Sequence, residues 1–300
     1  MFILKYKKIF LGLGLLLTVA SFVSLGLYKL DLGIEYTGGS VLEFTLKENI
    51  DESVLNQRLE TGFKQGFVLR KTEAGYILKI KSEGDGVTHN VHVLNVISNN
   101  NPDILNVSKF DTIGPTLGNE LKTKASVALI LVILAIALFI AYAFRHVSEP
   151  VSSWKYGLIT MIALLHDIVI TLGVFSYLGH TMGLEIDSLF LTALLVILGY
   201  SINDTIVVFD RIRENLLKVK PEKRSKDFEV IVGESLSQTF VRSLNTTITT
   251  LLSLVIIYVL TPASIHNFAL ALIIGITSGA YSSLFIAAPL LTYFNREQKA

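Results

Sequence analysis

Six long apolar runs dominate this chain: Ile9 to Tyr28, Ala125 to Phe144, Tyr156 to Leu178, Leu189 to Phe209, Leu244 to Leu260 and Phe268 to Phe294. Each reaches or nearly reaches the roughly 17–25 residues an α-helix needs to cross a bilayer. A backbone in hydrocarbon must satisfy its own polar groups, so such runs are confined to helices. The chain therefore reads as a polytopic α-helical membrane protein with six transmembrane helices. Hydrophobic residues form 51% of its 300 residues, and it is their grouping into blocks that separates it from a soluble domain. A net charge of +1 offers no global field for nucleic acid. The absence of Cys excludes disulfides, thiol nucleophiles and Cys-based metal sites.

Lys and Arg in the short flanks set the expected orientation. Lys5, Lys7 and Lys8 precede the first run, and Arg145 and Lys155 lie between the second and third. Arg211, Arg213, Lys218, Lys220, Lys223, Arg224 and Lys226 crowd the fourth-to-fifth connection, and Arg296 and Lys299 end the chain. The intervening stretches, His180 to Asp187 and Thr261 to Asn267, carry neither residue. Both termini are expected in the cytoplasm, with the protein multi-pass in the cytoplasmic membrane. The expected organisation is a first transmembrane helix over 1–30, an exported domain over 31–124, and a five-helix region over 125–300 with a cytoplasmic loop at about 210–243. The first apolar run exceeds the roughly 7–15 residues of a signal-peptide core, so it is read as an uncleaved span.

The exported segment reads as βαββαβ, the order of a small α+β ferredoxin-like domain. Ser40 to Leu46 alternates in strand fashion, and Asp51 can cap a helix running to Phe63. Phe67 to Arg70 and Tyr76 to Ile80 form a hairpin around Glu73-Ala-Gly75. Val87 to Ile97 reads as a second helix after a turn at Gly84 to Gly86, and Ile104 to Ile113 as the closing strand. No catalytic constellation is present. His89 and His92 fall on the second helix without an evident third ligand, so no metal site is expected.

Polar side chains inside the runs carry the functional signal. Asp204 lies within the fourth run beside Asn203, and a carboxylate there costs a few kcal/mol and usually marks an ion or proton path. Tyr200, Asp204, Val207 and Arg211 share a helical face, and Asp210, Arg211, Arg213 and Glu214 read as an interfacial charge cluster. The fifth run begins Arg242-Ser-Leu-Asn-Thr-Thr247. Arg242, Thr246, Thr249 or Thr250, and Ser253 form a polar stripe, with Asn245 alongside. Arg242 is a candidate counter-ion for Asp204; a change in their separation would change how tightly the carboxylate holds a proton. The third run holds His166-Asp167 near mid-depth, as a functional pair or as a structural pair satisfied by neighbouring helices. Gly275, Gly279 and Ser283 on the sixth run form a small-residue face for close helix packing, and Pro289 is expected to kink its end.

These residues lie in segments that resemble the SecF family, the smaller membrane subunit of the SecD–SecF accessory complex of bacterial protein export. The resemblance runs through Leu32-Gly-Ile-Glu-Tyr-Thr-Gly-Gly39, Ile113-Gly-Pro-Thr-Leu-Gly-Asn-Glu-Leu121 and Ala163-Leu-Leu-His-Asp-Ile168. It continues in Gly199-Tyr-Ser-Ile-Asn-Asp-Thr-Ile-Val-Val-Phe-Asp-Arg-Ile-Arg-Glu-Asn215, Arg242 to Thr247 and Ser278-Gly-Ala-Tyr-Ser-Ser283. Glu35 and Tyr36 stand where the family usually has Asp and Phe. The resemblance implies one RND-like half of a pseudo-symmetric twelve-helix unit. It implies SecD as partner, contact with the SecYEG channel and with YajC, and a translocating preprotein as client. It implies proton passage at Asp204, Arg242 and Thr246; His166, Asp167, Asn203 and Asn245 are read from the sequence itself as supporting polar groups within the spans. No cofactor is expected beyond the coupling ion, a proton or alternatively sodium. An exporter of small molecules or lipids is the alternative reading, disfavoured by the single half and one small exported domain. An intramembrane hydrolase at His166 and Asp167 lacks a positioned nucleophile.

Overall fold

A computed structural model describes residues 2–47, 50–63, 67–72, 75–80, 87–145, 150–224, 227–261 and 263–295. The turn expected at Gly84 to Gly86, the Glu73-Ala74 positions, Lys226, Arg296, Lys299 and the side chain of His89 lie outside the described residues. In chain order the elements are α1 (Phe2–Lys5), α2 (Lys7–Tyr28), α3 (Ile34–Thr37), β1 (Gly39–Leu46), α4 (Glu52–Phe63), β2 (Phe67–Thr72), β3 (Gly75–Ile80) and α5 (Val87–Ser98). They continue with a 3-10 turn (Pro102–Ile104), β4 (Leu105–Ile113), α6 (Pro115–Ala143), α7 (Ser153–Met182), α8 (Ser188–Lys218), α9 (Pro221–Arg224), α10 (Phe228–Leu260), α11 (Ala263–Tyr281), a π-helical turn (Ser282–Ala287) and α12 (Ala288–Tyr293). The chain divides into two compact units, residues 32–126 and residues 1–31 with 127–300.

In the smaller unit the four strands form one antiparallel sheet in the order β2-β3-β1-β4, with α4 and α5 as the crossovers. This is the ferredoxin-like arrangement that the βαββαβ order predicts. Strand alternation decides the core: Leu42 and Phe44 of β1 are buried with Leu78, Ile80, Leu55, Leu59, Val93 and Ile97. The side chain of Asp51 accepts from the Ser53 backbone amide, and α4 starts there. His92 packs edge-on against Phe63 with ring centroids 5.6 Å apart. Backbone approach explains the glycines that frame the unit. Gly38 and Gly39 have φ of 78° and 147°, and a Cβ on Gly39 would stand 2.4 Å from the Ile80 carbonyl oxygen. A Cβ on Gly118 would stand 2.8 Å from the Gly38 amide nitrogen, so the segments that open and close the unit dock backbone to backbone.

Among the described residues six helices are long and apolar enough to cross a membrane, and their apolar stretches make up most of the larger unit. They fall into two classes. Within their most apolar stretches, α7, α8 and the helix formed by α11 through α12 are 61%, 50% and 61% buried, whereas α2, α6 and α10 are 11%, 11% and 17% buried. The first three are the packed centre and the other three its flanks. Helices α8 and α10 overrun their apolar runs. The stretch 210–243, expected as a loop, is mostly helix: α8 continues to Lys218 and α10 begins at Phe228. Ile212, Leu216, Phe228, Ile231, Val232 and Leu236 form one buried cluster there, an amphipathic pattern too polar overall to read as span. Glu214 bridges Arg211 and Lys218, and Arg213 lies 3.6 Å from Asp210, so the expected charge cluster forms on the surface of α8.

The sixth helix changes register before Pro289. Pro289 has no amide to donate to the preceding turn, and a π-helical turn occupies Ser282–Ala287 immediately before it. Close packing elsewhere depends on missing side chains. A Cβ on Gly173 of α7 would lie 2.5 Å from the Cα of Ser21 on α2, where no rotamer change can give way. Ser24 donates to the Gly173 carbonyl at 2.8 Å in the same contact. Gly173→Ala is therefore expected to destabilise the helix pair by about 1–3 kcal/mol. Gly26→Ala on α2, with nothing within 4 Å of its added carbon, serves as the neutral control. Thermal unfolding of the two variants in mild detergent checks this, and equal midpoints would contradict the contact.

Candidate functional site

Asp167 sits midway along α7 and is 0% exposed. Its carboxylate collects donors from three helices. Ser201 of α8 donates to Oδ2 at 2.6 Å, Ser282 of the π-helical turn to the same oxygen at 2.8 Å, and Ser278 of α11 to Oδ1 at 3.0 Å. Nδ1 of the adjacent His166 lies 3.0 Å from Oδ1. The change of register begins at Ser282, and Ser278 and Ser282 both reach Asp167 from consecutive turns. The small residues predicted for packing serve it too. A Cβ on Gly279 would stand 2.9 Å from the Ser201 Cβ, and one on Gly275 would stand 2.2 Å from the Ile197 Cδ1. At Gly279 the neighbour is Ser201 itself, so a side chain there would push α11 away from the serine that bonds Asp167, whereas at Gly275 it would have to displace the Ile197 side chain. Ser283 is buried, and its hydroxyl bonds back to the Ala280 carbonyl.

Asp204 lies one helical turn beyond Ser201 on α8 and is 4% exposed. Its Oδ2 is buried without a hydrogen-bond partner among the described residues. Facing it from α10 is the Ser243 hydroxyl, close but short of hydrogen-bond geometry, and the Arg242 guanidinium acts on it electrostatically. Ser243 and Thr247 fall on the buried side of α10, and both hydroxyls lack hydrogen-bond partners among the described residues. One further turn along, the Tyr200 hydroxyl lies 3.2 Å from Thr250 Oγ1.

The residues predicted from the sequence divide between the two sides of α10. Arg242, Asn245 and Thr246 are exposed, as is Asn203 on α8. Thr246 Oγ1 bonds back to the Arg242 and Ser243 carbonyls of its own helix. The structure thus brings Asp204 together with Ser243, with Thr247 buried one turn further along α10, and leaves the side chains of Arg242 and Thr246 exposed. Ser201, Ser278, Ser243 and Thr247 were not singled out by the sequence. The spacing of Ser243 with Thr247, and of Ser278 with Ser282, is the only available signal. It is weak, because Arg242-Ser-Leu-Asn-Thr-Thr places polar groups on every face. Among the described residues no group of three or more His, Asp or Glu side chains is placed to hold a metal.

Comparison with known proteins bears on this arrangement. A family profile described as "Protein export membrane protein SecD/SecF, C-terminal" matches residues 92–297. The chain belongs to the SecD/SecF family. SecF relatives described as "Protein translocase subunit SecF" include that of Thermobaculum terrenum, 37% identical over 96% of this chain and 92% of its own. That of Anaerolinea thermophila is 32% identical with the same coverage. The crystal structure of SecDF, a translocon-associated membrane protein from Thermus thermophilus, superposes with a TM-score of 0.77 at 29% identity over 97% of this chain. A SecDF structure in a super-membrane-facing form gives 0.67 at 29% identity over 99%. This chain spans 38% and 39% of those two SecDF chains. It is a multi-pass membrane protein of this family.

Convergence on one carboxylate predicts strong coupling. Each of Ser201→Ala, Ser278→Ala and Ser282→Ala is expected to cost about 0.6–1.7 kcal/mol, the range for hydrogen bonds between membrane helices. Asp167→Ala is expected to cost more than any of them, because it strands four donors at once. A double-mutant cycle between Asp167→Ala and Ser282→Ala, read by thermal unfolding, should be clearly non-additive. Additive losses would contradict a shared site.

Proposed function

We propose that this chain is the SecF half of a SecD–SecF unit that assists preprotein export by the Sec machinery, drawing on an ion gradient through Asp204. The observation that carries the ion-coupling reading is the Asp204 carboxylate: buried in an apolar helix, one oxygen without a partner among the described residues, with the Ser243 hydroxyl facing it from α10. A carboxylate at that depth marks an ion path by default. Arg242, with Thr246, tunes it from the rim. Hydroxyls around a carboxylate also suit sodium, so the coupling ion is a proton or, alternatively, sodium.

Neutralising Asp204 removes a buried charge and changes the packing of α8 against α10, and the smaller unit, outside the cytoplasm, follows. The energy scale is adequate. One elementary charge crossing the field supplies about 2.3 kcal/mol per 100 mV, more than the roughly 1.4 kcal/mol that shifts an equilibrium tenfold.

Arg242, Asn203, Asn245 and Thr246 lie on exposed faces of α8 and α10, and Thr249 and Ser253 lie on the exposed face of α10. Facing lipid, such groups are costly; facing a second helical half they are not. That supports SecD as the cover, in one RND-like pseudo-symmetric unit, with SecYEG and YajC as further neighbours and no enzymatic step of its own. The Lys and Arg distribution supports cytoplasmic termini. The exporter alternative finds less support, since the relatives that match most of their own length bear the SecF name.

Export into membrane vesicles under an imposed gradient tests the reading. Asp204→Asn is expected to insert and associate with SecD normally and to lose the gradient-dependent share of export, and imposed pH and sodium gradients identify the ion. Undiminished gradient-dependent export in that variant would sink the proposal.

A further inference from the structure

The His166–Asp167 pair holds one group that the clamp on Asp167 leaves unused. An ionised carboxylate only accepts, so the His166 Nδ1 that faces it carries the proton. The neutral ring then keeps a bare lone pair on Nε2. That atom is buried without a hydrogen-bond partner among the described residues, on a side chain 6% exposed. It points toward α2, where a Cβ on Gly14 would stand 3.5 Å away. A buried acceptor with no donor is costly. An imidazole nitrogen, unlike the stranded hydroxyls nearby, can bind a proton itself.

The charge balance points the same way. Among the described residues the only cationic group in ion-pair contact with Asp167 is His166, at 3.0 Å. The pair carries a net charge of −1 at mid-depth when the ring is neutral and none when it is protonated. From α11 the Tyr281 ring stacks on His166 at 6.2 Å and spends its hydroxyl on the Phe10 carbonyl. On α8 the titratable groups beside Ser201 in sequence are Tyr200, whose hydroxyl lies against Thr250, and Asp204, one turn on. From α2 Gly14 faces the ring, its carbonyl taken by Thr18, and from the π-helical turn Ile286 closes the space.

We propose that His166 and Asp167 form a second proton-binding site in the helix bundle, in which Nε2 of His166 takes the proton and Asp167 holds the resulting imidazolium. The proposal rests on the ion-coupled reading for its purpose, not for its existence. Ser201 bonds to Asp167 from the turn adjacent to Asp204, so the two sites share α8. Nε2 faces α2, the helix whose chain continues into the smaller unit.

The full-length chain with 15N-labelled histidine, in lipid nanodiscs, tests this by NMR over a pH series. The expected result is one ring whose Nε2 resonance moves from its neutral to its protonated position, lost in His166→Gln and retained in Asp204→Asn. If His166→Gln fails to fold, replacing His89, His92, His146, His180 and His266 by Gln leaves His166 as the single signal. A His166 ring neutral throughout, or a step that vanishes in Asp204→Asn, would overturn the second site. Loss of gradient-dependent export in Asp204→Asn alongside a silent His166 would leave the ion-coupled reading standing and remove this inference alone.

Discussion

The packing of the helix bundle depends on the carboxylate of Asp167. Placing an aspartate at the centre of a membrane helix costs about 2.5–3.5 kcal/mol on insertion scales, and hydrogen bonds between membrane helices return about 0.6 kcal/mol on average and 1.7 at most. A single donor does not offset that cost. Three serines from α8, α11 and the π-helical turn, together with His166, reach the range in which it is met. The same arithmetic sets the geometry. Three hydroxyls can converge on one carboxylate only if their helices approach to near backbone contact, which is why Gly275 and Gly279 face Ile197 and Ser201 with no room for a Cβ.

The π-helical turn lies against the same site. An ordinary step of four residues from Ser278 brings Ser282 to Asp167, and the widened turn begins there and runs toward Pro289, which has no amide to give the helix. Wide turns inside helices concentrate at functional sites.

Much of this was legible beforehand, and the boundary is physical. The βαββαβ unit could be read because strand alternation and the Asp51 cap are local signals; the observed elements lie within a residue or two of those expected. The six spans could be read because hydropathy is a bulk property. The helical extensions of α8 and α10 through 210–243 could not, since residues such as Ile212, Leu216 and Phe228 are apolar on one face only and sit among charges. At the site, Asp204, His166 and Asp167 stood out because charge in an apolar run is conspicuous. The serines did not, because a serine in a span is common and its value depends on what faces it from another helix. Ser243 and Thr247 stayed hidden for a related reason: helical periodicity says which residues share a face, but not which face turns inward.

That last ambiguity carries information of its own. Helix α10 is the least self-sufficient of the polar helices: it offers Ser243 and Thr247 inward and Arg242, Asn245, Thr246 and Thr249 outward. The outward hydroxyls of Thr246 and Thr249 are taken by carbonyls of their own helix, which leaves Arg242 and Asn245 as the outward groups that hydrocarbon would not satisfy. Asp204 lies beneath this helix, so whatever covers its outer face bears on the carboxylate's surroundings. Asp167, by contrast, is enclosed by helices of this chain alone. Asp204 thus lies under a helix with polar groups on its outer face, whereas Asp167 is bonded by helices of this chain, and Ser201, a turn away from the first and bonded to the second, places the two carboxylates along one helix.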